Sequence, residues 1–213
     1  EGTGHAALGA DHLERVTDVR RVGVGGVAGD AAQDRRDGPA GGEHAASAGH
    51  QVALFDTRDG AAAKAIADIR KVYSRLVEKG RMTEADAQAA GARMHIAGSL
   101  ADVKEAALVV EAIVENLDVK RGLFADLEAI VHDDCILGTN TSSISVTAIG
   151  ARLRRPERLV GMHFFNPVPL MALVEVISGL ATDPGVADTV FATAAAWGKS
   201  PVHAKSTPGF IVN

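Results

Sequence analysis

Residues 163–176, HFFNPVPLMALVEV, place a histidine before an aromatic, proline-rich turn and a glutamate twelve positions later inside an apolar run. A carboxylate in such a run has to be paired or hydrogen-bonded, because an unpartnered buried charge costs several kcal/mol. An imidazole that a carboxylate holds in one tautomer is a suitable base for taking a proton from an alcohol while hydride leaves the same carbon. His163 and Glu175 are therefore either a catalytic pair or a structural ion pair, and the two strands that carry them must be neighbours in either case.

Charged residues also follow two other predicted strands. Asp56 ends the run QVALFD, where a dinucleotide-binding fold places a carboxylate for the adenosine ribose hydroxyls. A turn-initiating aspartate is the alternative. Glu111 and Glu115 lie at and beyond the end of ALVVEAIVE, and Lys120 lies on the helix that follows. These three charges belong either to a site or to a capped and solvated helix start.

The run GTNTSS ends a third strand with five hydroxyl or amide side chains, which is more than a simple turn needs. Ser142 and Ser143 either face a site or cap the next helix. Ligands of a doubly wound sheet bind at the carboxyl ends of its strands, so these polar ends are expected to meet.

Alternating strands and helices must position these residues. Short β-branched runs alternate with stretches of helical spacing, which predicts an α/β fold with a doubly wound, mostly parallel sheet. The predicted strands are 51–56, 94–100, 107–115, 135–143, 158–165, 173–179 and 199–204, and the predicted helices are 60–79, 84–91, 116–131, 145–152 and 184–197. Thr83 and the Asp183–Pro184 pair are predicted to begin two of these helices.

Composition excludes several classes of protein. The 213 residues are 46% hydrophobic with a net charge of −5, which provides no basic surface for nucleic acid. No apolar run is long enough for a membrane span, and no signal peptide opens the chain, so we expect a cytoplasmic protein without a membrane partner. The histidines are scattered and the single cysteine, Cys135, reads as a buried strand residue, so we expect no metal site and no disulfide.

The first part of the chain departs from this regular pattern. Residues 23–46 are dense in glycine, aspartate and arginine and contain almost no large apolar residue, so we expect neither a first strand nor a packed helix there. The sequence divides accordingly into an aberrant segment, 1–45, and an α/β domain, 46–206.

Four motifs together resemble the 3-hydroxyacyl-CoA dehydrogenase family. They are VVEAIVENLDVK, TNTSSIS, GMHFFNPVPLMALVEVI and the terminal TPGFIVN, and the similarity covers about residues 49–213. It implies a Rossmann-type NAD-binding domain and NAD-dependent oxidation of a (3S)-3-hydroxyacyl-CoA, in fatty acid or phenylacetate degradation. The amino-acid sequence of several stretches is most similar to the phenylacetate-pathway branch that acts on 3-hydroxyadipyl-CoA and to the 3-hydroxybutyryl-CoA dehydrogenases.

The resemblance also implies roles for individual residues. The catalytic set comprises the base His163, its orienting carboxylate Glu175, and two substrate-binding residues, Ser142 and Asn213. The cofactor-binding set comprises Asp56, Glu115, Lys120 and the glycines Gly23 and Gly25. Basic residues on and after the first long helix either meet the CoA phosphates or form a solvated face; they are Arg70, Lys71, Arg75, Lys79 and Arg81.

Two departures from the family pattern stand out. The family opens with a strand and a GxGxxG turn, whereas GVGGVAG has a different spacing and Gly23 precedes Asp56 by 33 positions. A reading-frame artefact in this segment is one hypothesis, which resequencing the gene would test. In the family, a C-terminal helical domain completes the acyl-CoA cleft and forms a homodimer. In this sequence that domain would only begin at 207–213. A non-catalytic fragment without a working phosphate loop is therefore the alternative to an active enzyme.

Overall fold

The computed structural model describes residues 21–26 and 41–207. Eight strands form one sheet: β1 Arg21–Gly26, β2 Gln51–Asp56, β3 Met94–Ile96, β4 Leu108–Glu111, β5 Ile136–Thr139, β6 Leu159–Phe164, β7 Leu173–Ser178 and β8 Ser200–Lys205. Six helices accompany them: α1 Gly42–Ser47, α2 Ala61–Glu78, α3 Glu84–Ala92, α4 Leu117–Ile130, α5 Val146–Gly150 and α6 Pro184–Ala196. Two 3₁₀ turns, Leu100–Val103 and Pro156–Arg158, precede β4 and β6.

The strand order is β3-β2-β1-β4-β5-β6-β7-β8. Neighbouring strands are parallel except for the antiparallel pair β6 and β7, and β8 runs parallel to β7. The chain reverses its direction across the sheet between β1 and β4, which is the position where doubly wound sheets open a ligand crevice. The predicted fold class, a doubly wound and mostly parallel α/β sheet, is confirmed.

Apolar residues cover both faces of the sheet. Val52, Leu54 and Val110 pack into one core cluster, whereas Ala53 and Val109 pack into the other. This alternation follows from the two-residue period of a strand, and it explains why β4 is buried at every position.

Side-chain caps set several of the boundaries. Thr83 begins α3 by accepting a hydrogen bond from Asp86 N, and Asp183 begins α6 by accepting from Gly185 N and Val186 N. Both predicted helix starts are thus confirmed.

The N-terminal segment differs from the prediction. The expectation that residues 23–46 form neither a first strand nor a packed helix is wrong where the structure describes this segment. β1 pairs in parallel with both β2 and β4, and α1 buries Ala45 and Ala46 completely. Backbone hydrogen bonding does not require large side chains, so a glycine-rich run between two apolar strands still completes the sheet. The sheet consequently includes residues on the N-terminal side of the predicted domain boundary at residue 46.

Candidate active site

His163 and Glu175 are directly opposite each other on the antiparallel strands β6 and β7. The His163 Nδ1 atom lies 2.8 Å from the Glu175 Oε2 atom. Glu175 is 0% exposed and His163 is 6% exposed, so the contact is shielded from water. Because the carboxylate engages Nδ1, the chemistry that this pair supports is proton transfer at the other ring nitrogen, Nε2.

The imidazole is held by its neighbours in the chain. Phe164 N donates to Asn140 Oδ1 at 2.8 Å, which ties the end of β6 to the residue that follows β5. The Phe165 ring packs against the imidazole with 4.6 Å between ring centroids. Phe165 also begins residues 165–172, FNPVPLMA, which we call the FNPVP loop. The position of this loop therefore affects the surroundings of His163.

A buried ion pair lies at the carboxyl end of β4. Lys120 Nζ lies 2.6 Å from Glu111 Oε1, and both side chains are 1% exposed. Glu111 also accepts from Ile113 N at 2.6 Å and from Thr139 Oγ1 at 2.7 Å. The second contact of the Lys120 ammonium is Glu115 Oε2, at 3.2 Å. Glu111 and Lys120 are therefore not part of a solvated helix start, which was one interpretation of the sequence, whereas the Glu115 side chain is 35% exposed. Asn116 caps α4.

Glu115 connects this ion pair to the polar loop after β5. Its Oε1 atom accepts from the Thr141 hydroxyl, from Ser142 N at 2.9 Å and from Ser143 N at 3.1 Å. These hydrogen bonds, together with Lys120, lower the pKa of Glu115 although partial burial opposes them. Glu115 is thus held as a carboxylate that organises the backbone around Ser142.

The serine that caps α5 is Ser145, not Ser142 or Ser143. Its Oγ atom accepts from Ala148 N, while Ser206 Oγ accepts from Val146 N. The capping role considered for Ser142 and Ser143 is therefore wrong, and both residues remain exposed at the edge of the sheet.

Three predicted site residues are placed differently or not described. Gly23 and Gly25 lie inside β1, where they pair with residues of β2 and β4, rather than in a turn after that strand. Residues 27–40, where such a turn would follow, lie outside the described residues, and so does Asn213.

The basic residues considered for CoA binding are exposed. Lys71 forms an ion pair with Asp68 at 2.9 Å, and Arg70 donates to Gly91 O at 3.2 Å. These local contacts are typical of a solvated helix face.

A shallow apolar crevice of about 200 Å³ lies between α5 and the turn after β7. Leu159, at the start of β6, lines it, whereas His163 lies near the other end of the same strand. Its lining contains no titratable side chain, so we do not identify it with the active site.

Within residues 21–26 and 41–207 there is no cluster of three or more metal-binding side chains. Cys135 is a free thiol, 0% exposed, and burial raises its pKa to about 12, which makes it unreactive. None of the helices in the described ranges is long and apolar enough to cross a bilayer.

Comparison with known proteins identifies the family. Residues 38–207 match the model for the NAD-binding domain of 3-hydroxyacyl-CoA dehydrogenase. The chain belongs to the 3-hydroxyacyl-CoA dehydrogenase family. The family match confirms the expected NAD cofactor, because the matched region is the family's NAD-binding domain.

Individual members of the family are similar over most of this chain. A 3-hydroxyadipyl-CoA dehydrogenase of Escherichia coli K12 is 45% identical over 171 residues, which are 80% of this chain and 36% of the relative. A 3-hydroxybutyryl-CoA dehydrogenase of Clostridioides difficile is 41% identical over 168 residues, which are 79% of this chain and 60% of the relative. This chain thus spans about a third to three fifths of the length of these relatives.

Solved dehydrogenases have the same fold. The crystal structure of an E. coli K12 3-hydroxybutyryl-CoA dehydrogenase matches with a TM-score of 0.83 and 42% identity, over 91% of this chain and 40% of that one. The (S)-3-hydroxybutyryl-CoA dehydrogenase of Ralstonia eutropha matches with a TM-score of 0.83 and 39% identity, over 92% of this chain and 66% of that one.

The described residues fit a dinucleotide on the β1 and β2 side of the dehydrogenase sheet. Asp56 ends β2 directly beside Gly26, at the carboxyl edge of the sheet. Its side chain is 11% exposed and accepts from Arg58 N at 2.8 Å, so the carboxylate is held in one orientation. Lys120, by contrast, is enclosed by Glu111 and Glu115, so its ammonium is taken up by ion pairs within the chain.

Sequence reasoning missed two parts of this dehydrogenase site. In the sequence, Asn140 is only one polar residue of GTNTSS, and nothing there indicates that its side chain holds the backbone beside His163. The sequence groups Glu111 with Lys120, but it does not indicate that Thr139 also donates to Glu111. A charge inside the apolar run LVVEAIV was the available signal, because a buried glutamate requires a partner.

Proposed function

We propose that the protein containing this chain oxidises a (3S)-3-hydroxyacyl-CoA to the 3-oxoacyl-CoA with NAD. The observation that carries this proposal is the buried contact of 2.8 Å between His163 Nδ1 and Glu175 Oε2 at the carboxyl edge of the NAD-binding sheet. The similarity to dehydrogenases named for 3-hydroxyadipyl-CoA and 3-hydroxybutyryl-CoA supports this substrate class.

The residues act in defined roles in this proposal. His163 Nε2 takes the proton of the substrate hydroxyl as the C3–H bond breaks, and Glu175 keeps the ring oriented and stabilises the imidazolium. Bound NAD would supply the acceptor for the hydride that leaves C3. The exposed Ser142 hydroxyl hydrogen-bonds the substrate 3-oxygen, and Glu115 holds the backbone of Ser142 in place. Asn213 supports the substrate from the segment beyond the described residues.

The cellular setting follows the same proposal. We place the enzyme in the cytoplasm, in the breakdown of fatty acids or phenylacetate, and as a homodimer assembled through the family's helical domain. Gel filtration with light scattering on the full protein tests the dimer.

Substitution of the base tests the activity. His163→Gln in the full protein should lower kcat by about 10²–10⁴, because the proton acceptor is lost, while the Kd for NADH stays nearly constant. His95→Gln, at an exposed position on β3, is the matched control and should leave both constants unchanged. An unchanged kcat for His163→Gln, or an equal loss of NADH binding, would contradict the assignment.

One binding measurement distinguishes an active dehydrogenase from the alternative, a non-catalytic fragment. Isothermal titration of the 213-residue chain with NADH should give micromolar binding if its phosphate-binding segment works. Absence of binding would favour the fragment and would leave the activity of the full protein to the substitution experiment.

A further inference from the structure

Lys199 is a buried lysine that the proposed chemistry does not use. It lies between α6 and β8 and is 8% exposed. Its Nζ atom donates to Val168 O at 2.5 Å and to Met171 O at 2.9 Å. Both carbonyls belong to the FNPVP loop, which begins two residues after His163. An ammonium is rarely buried unless its donors are satisfied, so this placement requires the loop to stay in its present position.

The turn between α6 and β8, which carries Lys199, also holds the FNPVP loop through a backbone hydrogen bond. Ser200 N donates to Ala172 O at 2.7 Å, immediately beyond the two carbonyls that Lys199 binds. The loop also folds on itself, since Pro167 O accepts from Leu170 N and Met171 N. Lys199 therefore links this folded loop to the rest of the sheet through two of its carbonyls, whereas the His44 side chain hydrogen-bonds the loop backbone at Val168 alone.

The loop is coupled to the imidazole at its other end. Phe165, its first residue, packs on the His163 ring with 4.6 Å between centroids. Val168, at its centre, is 6% exposed and belongs to the core cluster that also contains Ala45 and Trp197. A shift of the loop would thus change the packing of the His163 ring without breaking the ion pair with Glu175.

A simpler interpretation, in which Lys199 merely forms a core ion pair, fits the geometry less well. Glu43 of α1 is the acidic group that acts electrostatically on Lys199, and burial still lowers the pKa of this lysine. The short contacts of the ammonium are to the two loop carbonyls instead.

We propose that Lys199 is a positioning residue that fixes the FNPVP loop against His163 and thereby sets the geometry of proton transfer. The proposal rests on the proposed dehydrogenase function. It assigns to Lys199 no contact with substrate or NAD. Its removal should therefore affect the chemical step more than the binding of the cofactor.

Lys199→Met in the full protein provides the test, with Lys205→Met as its matched control. Lys205 lies at the other end of β8 and is exposed. Lys199→Met should lower kcat with 3-hydroxybutyryl-CoA roughly 10- to 100-fold, the effect of a small misplacement of reacting groups, and should alter the pH profile of kcat. The Kd for NADH should stay within about twofold of the wild-type value, since Lys199 is distant from Asp56 in the strand order. Lys205→Met should change none of these quantities.

Two readouts do not depend on activity. Hydrogen exchange of residues 166–172 should become faster in Lys199→Met while β4 and β5 keep their protection, and the NMR signals of the His163 imidazole should shift. If the full protein oxidises no 3-hydroxyacyl-CoA, the proposed function fails, yet these two readouts still decide the role of Lys199. Unchanged loop exchange together with an unchanged imidazole would overturn the proposal, as would a uniform loss of protection throughout the sheet.

If Lys199→Met does not fold, Lys199→Arg carries the same test. Arginine retains the charge, but its planar guanidinium does not reproduce the donor geometry of an ammonium. Local loosening of the loop with a reduced kcat supports the proposal, whereas wild-type behaviour in both measurements contradicts it.

Discussion

His163 and Glu175 are paired residues of adjacent antiparallel strands, twelve positions apart in sequence and 2.8 Å apart at their side chains. Two residues directly opposite each other on such strands project to the same face. Glu175 is completely buried there, so the imidazole is its natural partner. The register of one strand pair thus brings the imidazole and the carboxylate together.

Replacement of the orienting carboxylate should disable the base without removing it. Glu175→Gln is expected to lower kcat by about 10²-fold or more, because an amide neither selects one tautomer nor stabilises the imidazolium. The double variant with His163→Gln should be little slower than His163→Gln alone. Steady-state kinetics on all three variants checks this, and fully additive losses would show that the two residues act independently.

Removal of the buried ammonium at the end of β4 should destabilise the domain. Lys120→Met leaves Glu111 buried without its cation, which is expected to cost about 3–5 kcal/mol. It should also loosen the loop around Ser142, because Glu115 loses its cationic partner. Urea unfolding measures the loss, and exposed Lys104→Met is the control with little expected effect. A loss below about 1 kcal/mol would mean that the ion pair is not structural.

Glu43 should give the protein a measurable dependence of stability on pH. Burial raises the pKa of Glu43 from 4.5 to about 7, against smaller opposing effects of a backbone hydrogen bond and of Lys199. The folded state therefore holds this proton more tightly than the unfolded chain, so the contribution of Glu43 to stability is complete below pH 4.5 and is lost as the pH rises towards 7. The change amounts to about 1.4 kcal/mol for each pH unit in this window.

Glu43→Gln removes that dependence. Relative to wild type, the variant should gain stability as the pH rises through this window, whereas Glu78→Gln, at an exposed position on α2, should follow wild type. His44 has the opposite effect on the pH dependence of stability, because burial lowers its pKa to about 4. The stability of each variant therefore has to be compared with that of wild type at each pH. Thermal unfolding between pH 4 and 8 provides the measurement. Parallel curves for wild type and Glu43→Gln would contradict the prediction.

A side chain at Gly161 should destabilise the folded protein, because β6 and β7 are in close contact at this position. A Cβ atom at this position would lie 2.8 Å from the Ile177 Cβ, which cannot rotate away. Gly161→Ala is expected to cost about 1–3 kcal/mol and to lower kcat by shifting β6, which carries His163, against β7, which carries Glu175. Gly122→Ala is the control, since nothing lies within 4 Å of its Cβ position and alanine favours a helix. Equal stabilities of the two variants would show that the sheet adapts.

The local pattern determined most of the elements. Among the elements that the structure describes, apolar periodicity located seven of eight strands and five of six helices, because each depends on side chains within a few neighbouring residues. The predicted strand 94–100 is shorter than expected, since Ser99 and Asp102 form a capping box that begins a 3₁₀ turn. β1 was missed because a glycine-rich run carries no apolar period and becomes a strand only between β2 and β4.

The sequence by itself determined which residues are chemically able to act: a histidine and a glutamate near a proline-rich turn, and carboxylates or hydroxyls at strand ends. The sequence also predicted the pairing of His163 with Glu175, and the register of their two strands confirms it. Only the tertiary structure decided the partners of Lys120 and Lys199, which are buried and donate to fixed acceptors. The physical reason is that the cost of burying a charge, and hence its choice of partner, depends on contacts between residues that are distant in the chain.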